Sequence, residues 1–167
     1  MQKANRLQGK RRHAVFFLTA LLIIAADQLS KIWIRSNLAV GESLPEAGFF
    51  QLTHVQNTGS AFGLFQDQSF ALTIVGLVGV AALLAYALFF YRHFPLLNNR
   101  LSHSALGLIL GGIVGNLIDR LNPNLGGVTD FISIGIWPTF NIADSAVVVG
   151  TIIFAYGLLS LVRARKQ

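Results

Sequence analysis

"FNIADSAVVVG", Phe140 to Gly150, opens an apolar run that continues to Val162, and Asp144 is the one charged side chain within it. A run of about 20 mostly apolar residues, rising 1.5 Å each, is long enough to cross a bilayer core. The run therefore reads as a membrane helix, and a carboxylate one turn inside its start needs a reason, because ionisable groups near hydrocarbon are costly. Three further runs qualify, from His13 to Ile34, Phe70 to Tyr91 and Leu101 to Leu117. The expected fold class is an all-α polytopic membrane protein of four spans.

Composition agrees. Hydrophobic residues make up 53% of the 167 positions, charged residues only 12%, and the mean hydropathy is +0.59, too apolar for an ordinary soluble domain. The net charge of +6 and pI near 10.3 would suit a nucleic-acid partner, but the basic residues collect at the ends of apolar segments instead of covering one face. No nucleic-acid partner is expected. The absence of cysteine excludes a disulfide framework, a thiol nucleophile and thiolate metal sites.

The first run follows Lys3, Arg6, Lys10, Arg11 and Arg12, as a secretory signal would. It lacks a small-x-small cleavage site and resumes apolar character at Ile32, so it reads as a retained span. A cytoplasmic N-terminus leaves ten basic residues inside and only Lys31, Arg35 and Arg120 outside, which sets the orientation by the positive-inside bias. Both termini are then cytoplasmic, and residues 35–69 and 120–139 form two outer loops. Within the first, "FFQLTHVQN" (Phe49–Asn57) has strand-like alternation, and "NTGSAFGLF" adds a turn at Thr58-Gly59 and an apolar patch suited to a short interfacial helix. No repeat or long linker divides the chain, so residues 1–167 read as one membrane-embedded domain.

All seven acids fall outside the cytoplasmic segments. Glu42, Glu46 and Asp67 occupy ordinary loop positions. Asp27, Asp119, Asp130 and Asp144 come from separate segments yet reach one layer, together with Lys31, Asn57, Asn116, Arg120 and Asn141. Bland readings exist for several of them. Asp27 and Lys31 have the i,i+4 spacing of a pair on a helix surface, Arg120 could anchor at the interface, and Trp33, Trp137 and Phe140 suit an aromatic belt. Gly107, Gly111 and Gly115 form a small-xxx-small stripe for close helix packing. Asp130 and Asp144 have no basic residue three or four positions away, so pairing along the chain does not explain them.

Two such carboxylates suit an aspartyl dyad, in which close approach forces the pair to share a proton. One acts as base toward water, while the protonated partner polarises the scissile carbonyl. Other chemistries fit less well. His13, His54, His93 and His103 are scattered without an H-E-x-x-H or other clustered set, so no metal is expected. Ser30 and Lys31 face different directions, and "GSAFG" lacks the nucleophile-elbow register. His54 near Ser60 is a weak alternative.

"DQLSK" (Asp27–Lys31), "NTGSAF" (Asn57–Phe62), "GGIVGNLIDR" (Gly111–Arg120), "VTDFI" (Val128–Ile132) and "FNIADSAVVVG" together resemble, in order, the blocks of bacterial lipoprotein signal peptidases, or signal peptidase II. The resemblance implies an intramembrane aspartyl endopeptidase of the bacterial inner membrane, acting at its extracytoplasmic face without a cofactor. It also implies a diacylglyceryl-modified prolipoprotein substrate, cut before the lipidated cysteine, and contact with membrane lipid; a monomer is expected. Carried over, the catalytic pair is Asp130 and Asp144. Asn57, Asn116, Arg120 and Asn141 fall on positions that line or support the substrate pocket, and Asp27 and Lys31 on a motif tied to structural support. A small extracytoplasmic β-cradle and an interfacial helix complete the implied fold. Two other classes stay open at this point: a four-span proton- or cation-coupled transporter, and a scaffold that uses the polar groups as interhelical glue.

Overall fold

The computed structural model describes residues 2–59, 69–90 and 99–164. Four helices long and apolar enough to cross a membrane are present among them, over Arg11–Asn37, Ser69–Phe90, Arg100–Leu121 and Ile142–Ser160. They belong to α1 (Gln2–Asn37), α2 (Ser69–Ala85, ending in a π-helical turn at Tyr86–Phe90), α3 (Arg100–Leu121) and α4 (Ile142–Ala164). All four expected spans are found. The third runs four residues beyond its expected end at Leu117, because the polar tail of α3 is sheltered by protein instead of lipid.

Helix α3 is the centre of the bundle and packs against α1, α2 and α4. Glycine makes that possible. A Cβ on Gly107 or Gly111 would come within 2.6 Å of the Phe16 carbonyl oxygen or 2.8 Å of the Ala20 carbonyl oxygen, so the stripe lets α1 and α3 approach backbone to backbone. Phe16, Ala20, Leu106 and Leu110 fill that contact toward the end of the bundle away from the sheet. No residue of α2 proper is buried, as expected of a helix whose neighbours are mostly lipid.

The sheet has three antiparallel strands in the order β1 (Ser43–Leu44), β2 (Phe50–Asn57) and β3 (Val128–Ile134). Leu52 and Ile132 from the sheet pack with Ile34, Leu38, Phe131 and Ile142, which seats it on the ends of α1 and α4. The β2–β3 register shifts between Leu52↔Ile132 and Val55↔Asp130, so β2 carries one extra residue there. That bulge has a consequence for function. Unshifted pairing would set Asp130 opposite His54 and put Asn57 on the other face of the sheet, since a one-residue slip inverts every side chain. With the shift, Asn57 is the diagonal neighbour of Asp130 on the same face.

After β3, a turn with Gly135 at φ 51°, a left-handed value that glycine adopts freely, reverses the chain. Phe140 then bridges Ile132, with Phe140 N–H donating to the Ile132 carbonyl at 3.0 Å and Ile132 N–H donating back at 2.7 Å. The bridge delivers Asn141 and the start of α4 alongside Asp130. The interfacial helix expected after Thr58-Gly59 falls on residues 60–68, outside the described residues.

Candidate active site

Asp130 lies on β3 and Asp144 in the first turn of α4, with amide side chains from three elements around them. Asn57 Nδ2 donates to Asp130 Oδ2 at 2.8 Å and Asn141 Nδ2 to Asp130 Oδ1 at 2.6 Å. On the other carboxylate, Asn116 Nδ2 donates to Asp144 Oδ1 at 2.8 Å and the Asn141 backbone N–H to Asp144 Oδ2 at 3.2 Å. Asn141 therefore touches both acids and also accepts from the Asp144 N–H at 2.9 Å. That reciprocal pair caps α4, with Asp in the place where Glu or Gln is usual. The cap and the helix dipole explain why a carboxylate is tolerated at this depth.

The orientation of the amides is dictated by donors that cannot accept. Gly59 N–H donates to Asn57 Oδ1 at 2.9 Å, Asp144 N–H holds Asn141 Oδ1, and the Lys31 ammonium donates to Asn116 Oδ1 at 2.9 Å. Each amide is thereby left with its NH2 toward a carboxylate. Asp130 is only 2% exposed, and burial pushes its carboxyl up to about 7, the negative charge of Asp144 adding to the effect. The Asn57 and Asn141 hydrogen bonds and the Lys31 charge pull the other way without cancelling it. A carboxyl that keeps its proton near neutrality beside a second carboxylate is the electrostatic arrangement a shared-proton pair requires.

Beneath the two aspartates lies a layer of buried charge. Lys31 Nζ is 2.8 Å from Asp27 Oδ2 and 3.3 Å from Asp119 Oδ2, all three fully buried, and Arg35 Nη1 is 3.6 Å from Asp119 Oδ1. The i,i+4 pair is thus interior, wedged against α3, and not on a helix surface. Gly115 makes room for it, since a Cβ there would lie 2.6 Å from Asp27 Oδ2. Asp27 Oδ1 accepts from the Ala143 N–H and Asp119 Oδ2 from the Thr129 N–H, both at 3.0 Å. Ala143 and Thr129 are the residues immediately before Asp144 and Asp130.

A cleft of about 740 Å³ opens over the pair. Asn57, Asn116, Arg120, Asp130 and Asp144 line its polar end, and Leu72 and Val75 of α2, Ile113 and Leu117 of α3 and Val147 and Val148 of α4 its apolar length. Arg120 also donates to the Gly59 carbonyl at 3.4 Å. Asn141, expected to line or support the pocket, is fully buried and braces the carboxylates from behind. Trp137 and Phe140, read as belt residues, line the cleft. Spacing could not reveal that, because the turn at Gly135 and the Phe140 bridge fold them back over it. The role of Asp119 in holding β3 was equally invisible in its loop-edge position. His54 Nδ1 lies 2.9 Å from the Leu38 carbonyl oxygen, tying the sheet to the end of α1; Ser60, its alternative partner, lies outside the described residues.

A multi-spanning bundle with buried acids at the head of an apolar cleft defines the class as a membrane enzyme, and solved structures agree. Two structures described as bacterial membrane enzymes determined in meso, at 2.3 and 1.9 Å resolution, superpose with TM-scores of 0.76 and 0.72 at 28% and 29% identity. They cover 88% and 87% of this chain, and the match spans 88% and 93% of theirs. The family model for signal peptidase (SPase) II matches residues 19–160; the chain belongs to that peptidase family. Lipoprotein signal peptidase of Dehalococcoides mccartyi is 52% identical over 151 residues, covering 90% of this chain and 89% of the relative. The Moorella thermoacetica enzyme of the same name is 47% identical, covering 86% and 92%, and that of Cupriavidus taiwanensis 37%, covering 97% and 92%.

Proposed function

We propose that this protein is an intramembrane aspartyl endopeptidase that removes the signal peptide of diacylglyceryl-modified prolipoproteins, cutting before the lipidated cysteine. Its active site would face the extracytoplasmic side, with both termini in the cytoplasm. The observation that carries the catalytic reading is the pairing itself: two carboxylates from β3 and α4, every amide near them turned donor-first, at the head of an apolar cleft. The relatives' shared name supports the substrate.

In this reading the signal helix enters laterally from the membrane along the cleft walled by α2, α3 and α4, and the acyl chains stay in lipid. Binding energy from those remote apolar contacts holds the scissile peptide across the dyad. Asp130, the more buried carboxyl, carries the proton and donates to the scissile carbonyl oxygen. Asp144, partly exposed in the first turn of α4, accepts a proton from the attacking water. The gem-diol intermediate then collapses: Asp144 passes the proton it took from water to the leaving nitrogen, Asp130 takes one back from a gem-diol hydroxyl, and the C–N bond breaks. Arg120 and the Asn57 segment lie where an extended peptide would pass.

The pH dependence follows with a definite sign. An acid raised to about 7 holds its proton below that pH and loses it above, so the singly protonated dyad disappears as pH rises through about 7. The kcat for lipidated precursor, followed by gel shift across neutrality, is expected to fall on the alkaline side with a midpoint near 7. A profile flat to well above that value would contradict the assignment. The same raised acid costs folding stability as pH rises from its unfolded value toward 7, with no further change beyond.

A further inference from the structure

We propose that Lys31 is the positioning residue of the dyad, a single buried ammonium whose three donors reach both catalytic segments. It rests on the dyad reading above. A lysine ammonium has three donors and no acceptor. Here they meet Asp27 Oδ2 at 2.8 Å, Asn116 Oδ1 at 2.9 Å and Asp119 Oδ2 at 3.3 Å. Each of these acceptors in turn holds the site. Asp27 grips the N–H of Ala143, one residue before Asp144, and Asp119 grips the N–H of Thr129, one residue before Asp130. Asn116 donates to Asp144 itself.

Two consequences distinguish this from general support of the fold. First, beside the Phe140–Ile132 bridge and the Asn141 side chain, which join the start of α4 to β3, the N–H groups just before Asp130 and Asp144 are each held by an acceptor of Lys31. The Lys31 triangle supplies a fixed reference for both, and a shift of about 1 Å at a reacting centre is enough to cost rate. Second, Lys31 is the lock supplied by a charged side chain; the Asn57 and Asn141 oxygens are held by backbone N–H groups, which substitutions other than proline leave in place. Without Lys31, Asn116 Oδ1 keeps, among the described residues, only Asn141 Nδ2 as a donor, at 3.1 Å, and the positive charge that opposes the raised Asp130 carboxyl is gone. A tetrahedral ammonium fits the three acceptors, whereas the planar fork of arginine does not.

The charged groups facing this cluster are Asp27 and Arg35 from α1, Asp119 and Arg120 from α3, Asp130 from β3 and Asp144 from α4. Among the described residues α2 proper contributes no ionisable group, and β2 only His54, which is turned to the Leu38 carbonyl. Two acids, Asp27 and Asp119, are balanced by Lys31 and Arg35, so loss of Lys31 alone leaves a buried charge uncompensated. Asp27→Asn/Lys31→Met keeps the balance, and the Asn oxygen can still accept from Ala143.

The test compares the purified full-length protein, this double variant, Lys31→Arg and Asp144→Asn on lipidated precursor over a pH series, with thermal unfolding measured in parallel. For the double variant we expect kcat at least about tenfold lower, KM within about twofold, and a pH profile moved upward by about one unit, the worth of one charge-assisted hydrogen bond. Lys31→Arg is expected to keep the profile near its parent position while kcat stays low. A profile that superimposes on the parent, with kcat reduced only in proportion to folded protein, would overturn the proposal, as would full recovery of kcat by arginine. Asp144→Asn separates the two readings: it is expected to lose about 10⁴-fold in turnover at every pH, and near-normal turnover there would sink the dyad itself.

Discussion

Asp130→Asn and Asp144→Asn are each expected to lower turnover of lipidated precursor by about 10⁴-fold, the upper end of what a positioned acid or base contributes. Asparagine keeps the size of the side chain, but its amide neither donates nor accepts a proton at catalytic pH. At position 130 it also sets an NH2 against the NH2 of Asn57 or Asn141, which now face the carboxylate at 2.8 and 2.6 Å. Helix content by circular dichroism should be unchanged in both, since neither substitution touches the Gly107–Gly111 seam. Because the two acids act as one unit, the double variant should be no worse than either single one. Near-normal conversion by either single variant, followed on a gel, would refute the pair.

Asn141→Leu carries the second large effect, although the side chain does not reach the cleft. Asn141 caps α4, donates to Asp130 and to the Asn116 oxygen, the latter at 3.1 Å, and accepts from Asp144 N–H. Leucine of similar volume would leave the helix uncapped and the buried Asp130 Oδ1 short of a donor. Loss of the cap costs about 1 kcal/mol, and the unpaired buried groups add about 1–3 kcal/mol. Thermal unfolding should show the sum as a lowered Tm. Turnover should fall about 10²-fold or more beyond any loss of folded protein, because Asp130 loses its Oδ1 donor while the Asp144 backbone N–H loses its acceptor; a change in Tm with kcat per folded molecule intact would contradict this role.

The four spans were legible because about 20 apolar residues have few other uses, and the glycine stripe because its i,i+4 spacing survives any docking angle. Asp130 and Asp144 were legible for a related reason, as charges that no neighbour along the chain could explain. The layer below them was not. The Asp27 and Lys31 spacing says that the two side chains can meet but not what α1 packs against, and only the contact with α3 at Gly115 makes the pair interior. Likewise "VTDFISI" lacks clean alternation, because its first four residues are all buried, and the extra residue that puts Asn57 on the face of Asp130 leaves no mark in "FQLTHVQN". Trp137 and Phe140 reach the cleft through a reversal at Gly135, a tertiary event that composition near a span end cannot distinguish from a membrane belt.

The most direct test of the function assigned to this site uses two precursors identical in sequence, one carrying the diacylglyceryl group on its cysteine and one without it. Incubated with the purified protein, the lipidated precursor should be cut at the bond before the cysteine, as read by mass spectrometry, and the unlipidated one should remain intact. Equal cleavage of both, or cleavage of neither with the protein folded, would contradict the account.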